Sequence, residues 1–426
     1  MYKFISTNTP TKPNIITNIT YESVYESIRN SIIKYSFYIL LCILMLCIIF
    51  ISYIRLKHKF WSRQPVFHFY DIHYWFFPQD VILNKIVNIN YKYYNNAIKK
   101  KTFSELTDND TTNIVDFLKK NYLHMSDCQY SPTNKNVVPY FKRNNKESYF
   151  HILNENIPKY EYRKKKRYVI QKIIGLMSSR PLNYSFNNEK IKTIYYVDYL
   201  CCDKKRRKQN IAPQVIYTQA VDLLEKHNNQ IFMFKREGEQ SVFVPLTIYR
   251  CYAYDIKKWR NPVLMHSSIT VVEISKNNYF LYKSFINSIR KKFNCYISAD
   301  DGNILSLLET QNIFIYVLLD KSDIIGAYFF RDSCTFYNQE RMIECFASIC
   351  DSLDEKLYVL GFYHALKKIT STHKFTMLAI ENIADNGLII KHIEENYNNM
   401  FKVAMGYYLY NSAKYPFYSK ECLIIN

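Results

Sequence analysis

From Tyr35 to Ile54 the chain carries no charged side chain, and apolar or aromatic residues fill almost every position. Lys34 precedes the run, and Arg55, Lys57 and Lys59 follow it. A helix of about twenty apolar residues crosses the hydrocarbon of a bilayer, so the pattern predicts a transmembrane helix over 35–54. A buried core helix and a signal peptide are the competing readings. The run starts far from Met1, lacks a small-residue cleavage site and is long, which disfavours a cleaved signal. Positive charge gathers on its C-terminal flank, so a single-pass membrane protein with its large body facing the cytosol is expected. Residues 1–33 are polar and Thr/Asn-rich, the composition of a flexible tail. Asn18-Ile19-Thr20 would be an acceptor sequon on the other side.

Beyond the apolar run, Lys59 to Val66 reads as an extended, Pro-terminated segment leading into the body. Ile114, Phe117, Leu118 and Tyr122 form one helical face. Ile170 to Ser178 and Ile191 to Cys202 read as strands joined by a turn around Asn187-Asn188. A helix with Ile216, Ala220, Leu223 and Leu224 on one face follows, then a strand over 231–234. The second half repeats this order, with strands at 313–319 and 324–330, a helix marked by Val359, Phe362, Tyr363 and Leu366, and a strand at 375–380. Ile173-Ile174-Gly175 and Ile324-Ile325-Gly326 stand at corresponding places, which suggests an internal duplication. The expected architecture is α/β (α+β), two similar units side by side over 55–266 and 267–426.

The 426 residues allow two to three domains, and the net charge of +20 favours a polyanionic partner without choosing among nucleic acid, an acidic membrane or a phosphorylated cofactor. Eleven Cys at irregular spacing argue against a disulfide framework, and no metal-ligand spacing of Cys and His is present. Charge changes the picture most at Tyr195–Pro213. There a β-branched and aromatic strand runs into Lys204-Lys205-Arg206-Arg207-Lys208, a polar Gln209-Asn210 turn and a helix start with Pro213 in its first turn. Strand, basic loop and helix N-terminus together hold phosphate, because free N–H groups and the helix dipole both favour an anion. The pyrophosphate of coenzyme A is the ligand this stretch is expected to hold.

Several segments, in order, resemble the eukaryotic myristoyl-CoA:protein N-myristoyltransferases. Lys59-Phe60-Trp61-Ser62-Arg63-Gln64-Pro65-Val66 is similar to their Phe-Trp-x-Thr-Gln-Pro-Val segment, and Ile174-Gly175-Leu176-Met177-Ser178 to their Val-Gly-Phe-Ile-Ser strand. Tyr195–Pro213 resembles their Glu-Ile-Asn-Phe-Leu-Cys-Val-His-Lys-Lys signature with the Arg-Ser-Lys-Arg-x-Ala-Pro behind it, and Tyr407-Tyr408-Leu409-Tyr410-Asn411 their Tyr-Tyr-Leu-Tyr-Asn. The resemblance runs from about Lys59 to Asn426. It implies two tandem GNAT-like acyltransferase units in a pseudo-twofold arrangement, the first holding acyl-CoA and the second most of a peptide groove. It also implies that Lys59, Phe60 and Trp61 cover the CoA end. Tyr199 and Leu200 would donate two backbone N–H groups to the thioester oxygen, Cys201 and Cys202 would continue that wall, and Arg207, Lys208, Asn210, Ile211 and Ala212 would surround the pyrophosphate. The chemistry implied is transfer of a myristoyl group from myristoyl-CoA, as co-substrate with no permanently bound cofactor, to N-terminal glycine peptides. The base would be the C-terminal carboxylate, here on Asn426, and the protein a monomer.

The chain departs from that pattern in several places. Asp203 stands at the signature His and Tyr196 at its initial Glu. The acidic cluster expected after Asn121-Tyr122 is Leu123-His124-Met125-Ser126-Asp127, and a late Gly-Asp-Gly is replaced by Phe401–Met405 before Gly406. In the family those acidic residues are tied to the peptide, so a different peptide preference, or no turnover, is the consequence. The alternative function is a catalytically idle, membrane-anchored relative that binds acyl-CoA or peptide as an adaptor. Nucleic acid ranks last, since the Arg163–Arg167 and Lys204–Lys208 runs come without a base-stacking or helix-turn-helix motif.

Overall fold

The computed structural model describes residues 21–85, 88–123, 127–161, 166–227, 230–238 and 242–426. The Asn18-Ile19-Thr20 sequon, the first three residues of the basic run, 163–165, and the stretch 124–126 lie outside the described residues. The chain forms two compact units, Met1–Arg63 and Gln64–Asn426.

In the first unit a single helix, α1, runs from Tyr21 to Lys57. Residues 21–33, expected in the flexible tail, are therefore helical. No Gly or Pro interrupts the sequence from Tyr21 to Lys57, so a helix nucleated in the apolar run propagates backward through Ile33, Ile32 and Ile28. The helix is long and apolar enough to cross a membrane, and most of its apolar side chains are exposed, Leu40 and Leu46 among them, while Ile54 near its end is buried. Lys59–Arg63 was expected to be extended. Instead the backbone keeps turning: the Ser62 N–H donates to the His58 carbonyl at 2.9 Å, and Trp61–Arg63 is a 3₁₀ turn.

The second unit opens with a short helix, α2 (Ile72–Phe76), then β1 (Ile98–Thr102) and α3 (Asp108–Asn121). Thr107 and Asp110 close a capping box at the start of α3. After β2 (Cys128–Tyr130) and α4 (Asn134–Val137) come three long strands, β3 (Tyr149–Glu161), β4 (Lys166–Phe186) and β5 (Lys192–Cys202). Next are α5 (Ile211–Lys226), β6 (Phe232–Glu237), β7 (Pro245–Asp255) and β8 (Ile269–Glu273). The later part holds α6 (Tyr279–Ile289), β9 (Cys295–Ser298), α7 (Asp301–Glu309), β10 (Ile313–Asp320), β11 (Asp323–Tyr337) and β12 (Glu340–Cys350). It closes with α8 (Glu355–Thr372), β13 (Met377–Glu381), α9 (Asn386–Asn396), β14 (Phe401–Tyr410) and β15 (Cys422–Ile425).

One sheet joins both expected halves in the order β1-β3-β4-β5-β6-β14-β7-β13-β12-β11-β10-β8. Within each half, three antiparallel strands lead through a helix to a strand parallel to the third: β3-β4-β5, α5, β6 and β10-β11-β12, α8, β13. The halves then exchange their next strands. β7 pairs with β13 of the later half, β14 pairs with β6 of the earlier one, and β7 and β14 pair antiparallel with each other. A pseudo-twofold arrangement about the β7–β14 pair follows. The boundary expected at 266/267 falls inside this single compact unit.

The Ile-Ile-Gly echo extends to the pairing register. Gly175 faces Cys202 and Gly326 faces Cys350. In both hairpins a β-bulge interrupts the ladder three residues past the glycine, skipping Asp198 in β5 and Phe346 in β12. Past the bulge Arg180 faces Tyr196 and Arg331 faces Glu344, so each half has an arginine at the same place. Pro181 sits in β4 where its missing N–H is harmless, since pairing with β3 has ended at Ser179 and pairing with β9 starts only at Asn183.

Candidate functional site

The end of β5 is built as a bend with fixed anchors. The Asp203 N–H donates to the Ile174 carbonyl of β4 at 2.9 Å, and the buried Asp203 carboxylate accepts from Lys172 Nζ (2.5 Å) and the Lys205 N–H (2.9 Å). Burial pushes the Asp203 carboxyl up, but these bonds and the Lys172 and Lys205 charges outweigh it and hold the group below its ordinary range. Asp203, read from sequence only as a departure, is thus the residue that pins the basic loop. Asn121, at the end of α3, is a second anchor that sequence reasoning missed. Its side-chain oxygen accepts from the Lys204 N–H (3.0 Å), and its carbonyl accepts from Arg207 Nη2 (3.1 Å).

Beyond a 3₁₀ turn over Lys204–Arg206, Lys208 and Asn210 take left-handed φ values of +65° and +58°. The chain then enters α5 with no side-chain cap at Asn210. Helix geometry leaves the first-turn N–H groups without intrahelical acceptors, and Pro213 has none to satisfy. Arg206 is paired with Glu155, whereas Lys205, Arg207 and Lys208 have no carboxylate within ion-pair distance among the described residues. A cleft of about 530 Å³ opens over this helix start. Leu200, Cys201, Cys202, Arg207, Lys208, Asn210, Ile211 and Ala212 line it, together with Asn121, Tyr122 and Leu123. Eight of the residues expected at an acyl-CoA site therefore share one cleft.

The corresponding helix of the later half is built the opposite way. At the start of α8 the Asp354 carboxylate accepts from the Lys356 and Leu357 N–H groups at 2.9 and 3.1 Å, and Glu355 adds a second negative charge. An anion finds donors free at α5 and occupied at α8.

Tyr199 and Leu200 directly follow the bulge. Tyr199 is buried, its hydroxyl 2.7 Å from that of Tyr130, and Leu200 is half-exposed at the cleft. At the bulge itself the fully buried Arg180 donates through Nε to both Asp198 oxygens, at 2.9 and 3.1 Å. Burial raises the Asp198 carboxyl, against the Arg180 charge and, more weakly, that of Arg331. The Cys201 thiol is pushed up to about 12, mainly by burial, and burial raises Cys202 as well. Both are neutral thiols at physiological pH, which suits a wall and not a nucleophile.

Asn426 is buried at the end of β15, a strand sealed on all four residues and paired with β9. Arg331 Nη1 lies 3.4 Å from its carbonyl oxygen and 3.3 Å from its Oδ1. Arg331 also binds Glu344 (2.7 Å) and Glu381 (3.2 Å), and Lys235 pairs with both carboxylates. In the two half-sheets Phe232 faces Tyr195 and Leu378 faces Ile343, which makes Lys235 and Glu381 equivalent positions. Matching positions of the two halves thus carry opposite charges, and the two side chains pair with each other. Burial lifts the Glu381 carboxyl to about 7 despite Lys235, while Arg331 and Lys235 overcome burial at Glu344 and hold it well below the usual range.

Lys59, Phe60 and Trp61 belong to the first unit, where the Phe60 and Trp61 rings meet edge to face at 5.1 Å. The residues lining the cleft all come from the second unit. Of the segments where the sequence departs from the family pattern, 124–126 lie outside the described residues. Phe401–Met405 is the first half of β14 and pairs with β7, with Lys402 exposed there.

No family model and no curated protein matches the sequence. Solved structures do match. The fold is similar to that of Saccharomyces cerevisiae N-myristoyltransferase with bound myristoyl-CoA, at a TM-score of 0.63 and 12% identity, covering 85% of this chain and 90% of that one. A second structure of the yeast protein, with myristoyl-CoA and inhibitors, matches at 0.62 and 12% identity, over 87% and 94% of the two chains. A tandem GNAT protein from the clavulanic acid biosynthesis pathway follows at 0.49 and 10% identity, over 74% and 99%. The chain thus shares the fold of N-myristoyltransferase at low sequence identity.

Proposed function

We propose that the protein transfers a myristoyl group from myristoyl-CoA to the N-terminal glycine amine of protein substrates, from a body tethered to a membrane by α1 and facing the cytosol. The observation that carries this reading is the cleft over the start of α5, where Arg207 and Lys208, with no carboxylate partner among the described residues, and N–H groups without a side-chain cap suit a pyrophosphate. The yeast protein with the same fold holds myristoyl-CoA. In the proposed reaction the glycine nitrogen attacks the thioester carbon and the carbonyl oxygen gains charge. The Tyr199 and Leu200 N–H groups stabilise that charge by about 3 kcal/mol per donor. The C–S bond then breaks, and coenzyme A leaves as the thiol with a proton from the amine. An α-amino group titrates near ~8, so a base must first free the attacking lone pair. A carboxylate on Asn426, buried at the end of β15, is the base proposed.

A second reading, an acyl-CoA- or peptide-binding adaptor without turnover, is favoured by Arg331. A guanidinium 3.4 Å from the Asn426 carbonyl oxygen would make a carboxylate there a weaker base. Full-length protein in detergent, given myristoyl-CoA and N-terminal glycine peptides, separates the readings. Transfer that is lost when a few residues are appended after Asn426, with acyl-CoA binding intact, supports the enzyme and its base. Binding without transfer supports the adaptor. Absence of both, with tight salt-sensitive RNA binding, would overturn the two together.

A further inference from the structure

The stretch that follows the first unit carries an aromatic surface that acyl transfer does not use. Around α2, Ile72 is 69% exposed, Phe76 72% and Phe77 65%. This is a built surface. The Trp75 indole N–H donates to the Phe69 carbonyl at 2.9 Å, and its ring packs on the buried Phe67 at 4.8 Å. On its other side Tyr415 stacks at 6.3 Å and donates its hydroxyl to the Trp75 carbonyl. Gln79 and Ala413 exchange backbone hydrogen bonds, which locks the 69–80 segment to the chain after β14. Lys414 and Lys192 both bind the Asp80 carboxylate, and Lys192 also reaches Glu189 at 3.3 Å, so an ion-pair network ties the rim together.

We propose that this patch inserts into the headgroup boundary of a bilayer and lays the body of the protein on the membrane that α1 enters. Two features select a lipid surface as the occupant. The patch begins a short way along the chain from the basic end of α1, at Lys57, so the tether delivers it to the bilayer surface. Its composition, Trp and Tyr with their polar ends satisfied and Phe and Ile turned outward, is that of an interfacial contact. The inference rests on α1 as an anchor and is independent of acyl transfer.

The test uses the full-length protein in vesicles of phosphatidylcholine and phosphatidylserine, with and without bromine on the acyl chains. Bromolipid is expected to quench a tryptophan component that W75F removes. F76D/F77D should abolish that quenching while α1 still resists carbonate extraction and the near-ultraviolet circular dichroism is unchanged. Equal Trp75 emission in brominated and plain vesicles would overturn the proposal. So would a patch shielded by a second copy, seen as concentration-dependent cross-linking in detergent. Release of the wild type by carbonate would overturn the anchor itself, a separate failure from loss of quenching alone.

Discussion

Adding one methyl group at Gly175 tests whether the strand-to-helix contact sets the anion site. A Cβ built there lies 2.6 Å from Ile211 Cγ2 and 3.3 Å from Val215 Cγ2, both on α5. Carbon atoms sit comfortably at ~3.5–4.0 Å, so α5 must move away from β4 by about 1 Å. Ile211 is the first residue of α5 and lines the cleft, so the free N–H groups move with it. Overpacking of this kind costs about 1–3 kcal/mol of stability. Losing one charge-assisted bond to the pyrophosphate costs ~1.5–3 kcal/mol more in binding, on the order of a 10–100-fold weaker Kd. The assay is a cycle of G175A, I211A and the double variant, read by calorimetric titration with myristoyl-CoA and by urea unfolding. I211A removes the clashing methyl, so the double variant should bind better than G175A alone. Unchanged affinity in G175A, or strictly additive effects around the cycle, would refute the argument.

Three further outcomes follow from the same geometry. Arg207→Ala or Lys208→Ala should each weaken myristoyl-CoA binding by about 10–100-fold and flatten its salt dependence, read by the same titration, whereas Lys356→Ala at the capped start of α8 should do neither. Glu381→Gln leaves Lys235 and Arg331 with one counter-charge fewer in a buried network, so urea unfolding should show a loss of about 3–5 kcal/mol. His151 is fully buried, and burial pulls its pKa down despite its bond to Asp222. The unfolded chain takes up the proton below about 6.5 while the folded chain does not, so stability present at pH 7 is lost as pH falls through ~6. Urea midpoints across that range should slope less in His151→Gln.

The parts of the site that were legible in the sequence are those whose neighbours are close in the chain. β5, the basic loop and α5 follow one another within Lys192–Lys226, and the residue types alone specify strand, anion loop and helix start. Local spacing gave no hint of Asn121 as an anchor, because it reaches the loop from α3 through a contact 83 positions away. The exchange of β7 and β14 was illegible for the same reason, since a strand's partner is chosen by the folded sheet and not by its own pattern. The early start of α1 was missed because the polar stretch before the apolar run resembles a tail by composition, while nothing in it breaks a helix. The Ile-Ile-Gly echo was the one short signal of long-range order, and the matched bulges at Asp198 and Phe346 show what it marked.

The exchanged strands also bear on inheritance. A fragment ending near residue 266 would keep β7 but lose the β14 that lies between β6 and β7, and the complementary fragment would hold β14 with no β6 or β7 beside it. Each piece would expose a long unpaired edge, a template for aggregation. Made together, the two pieces carry matching edges and should reassemble, as would a chain nicked in the loop between β7 and β8. Neither half could be shed on its own, because each supplies a strand that completes the other's part of the sheet.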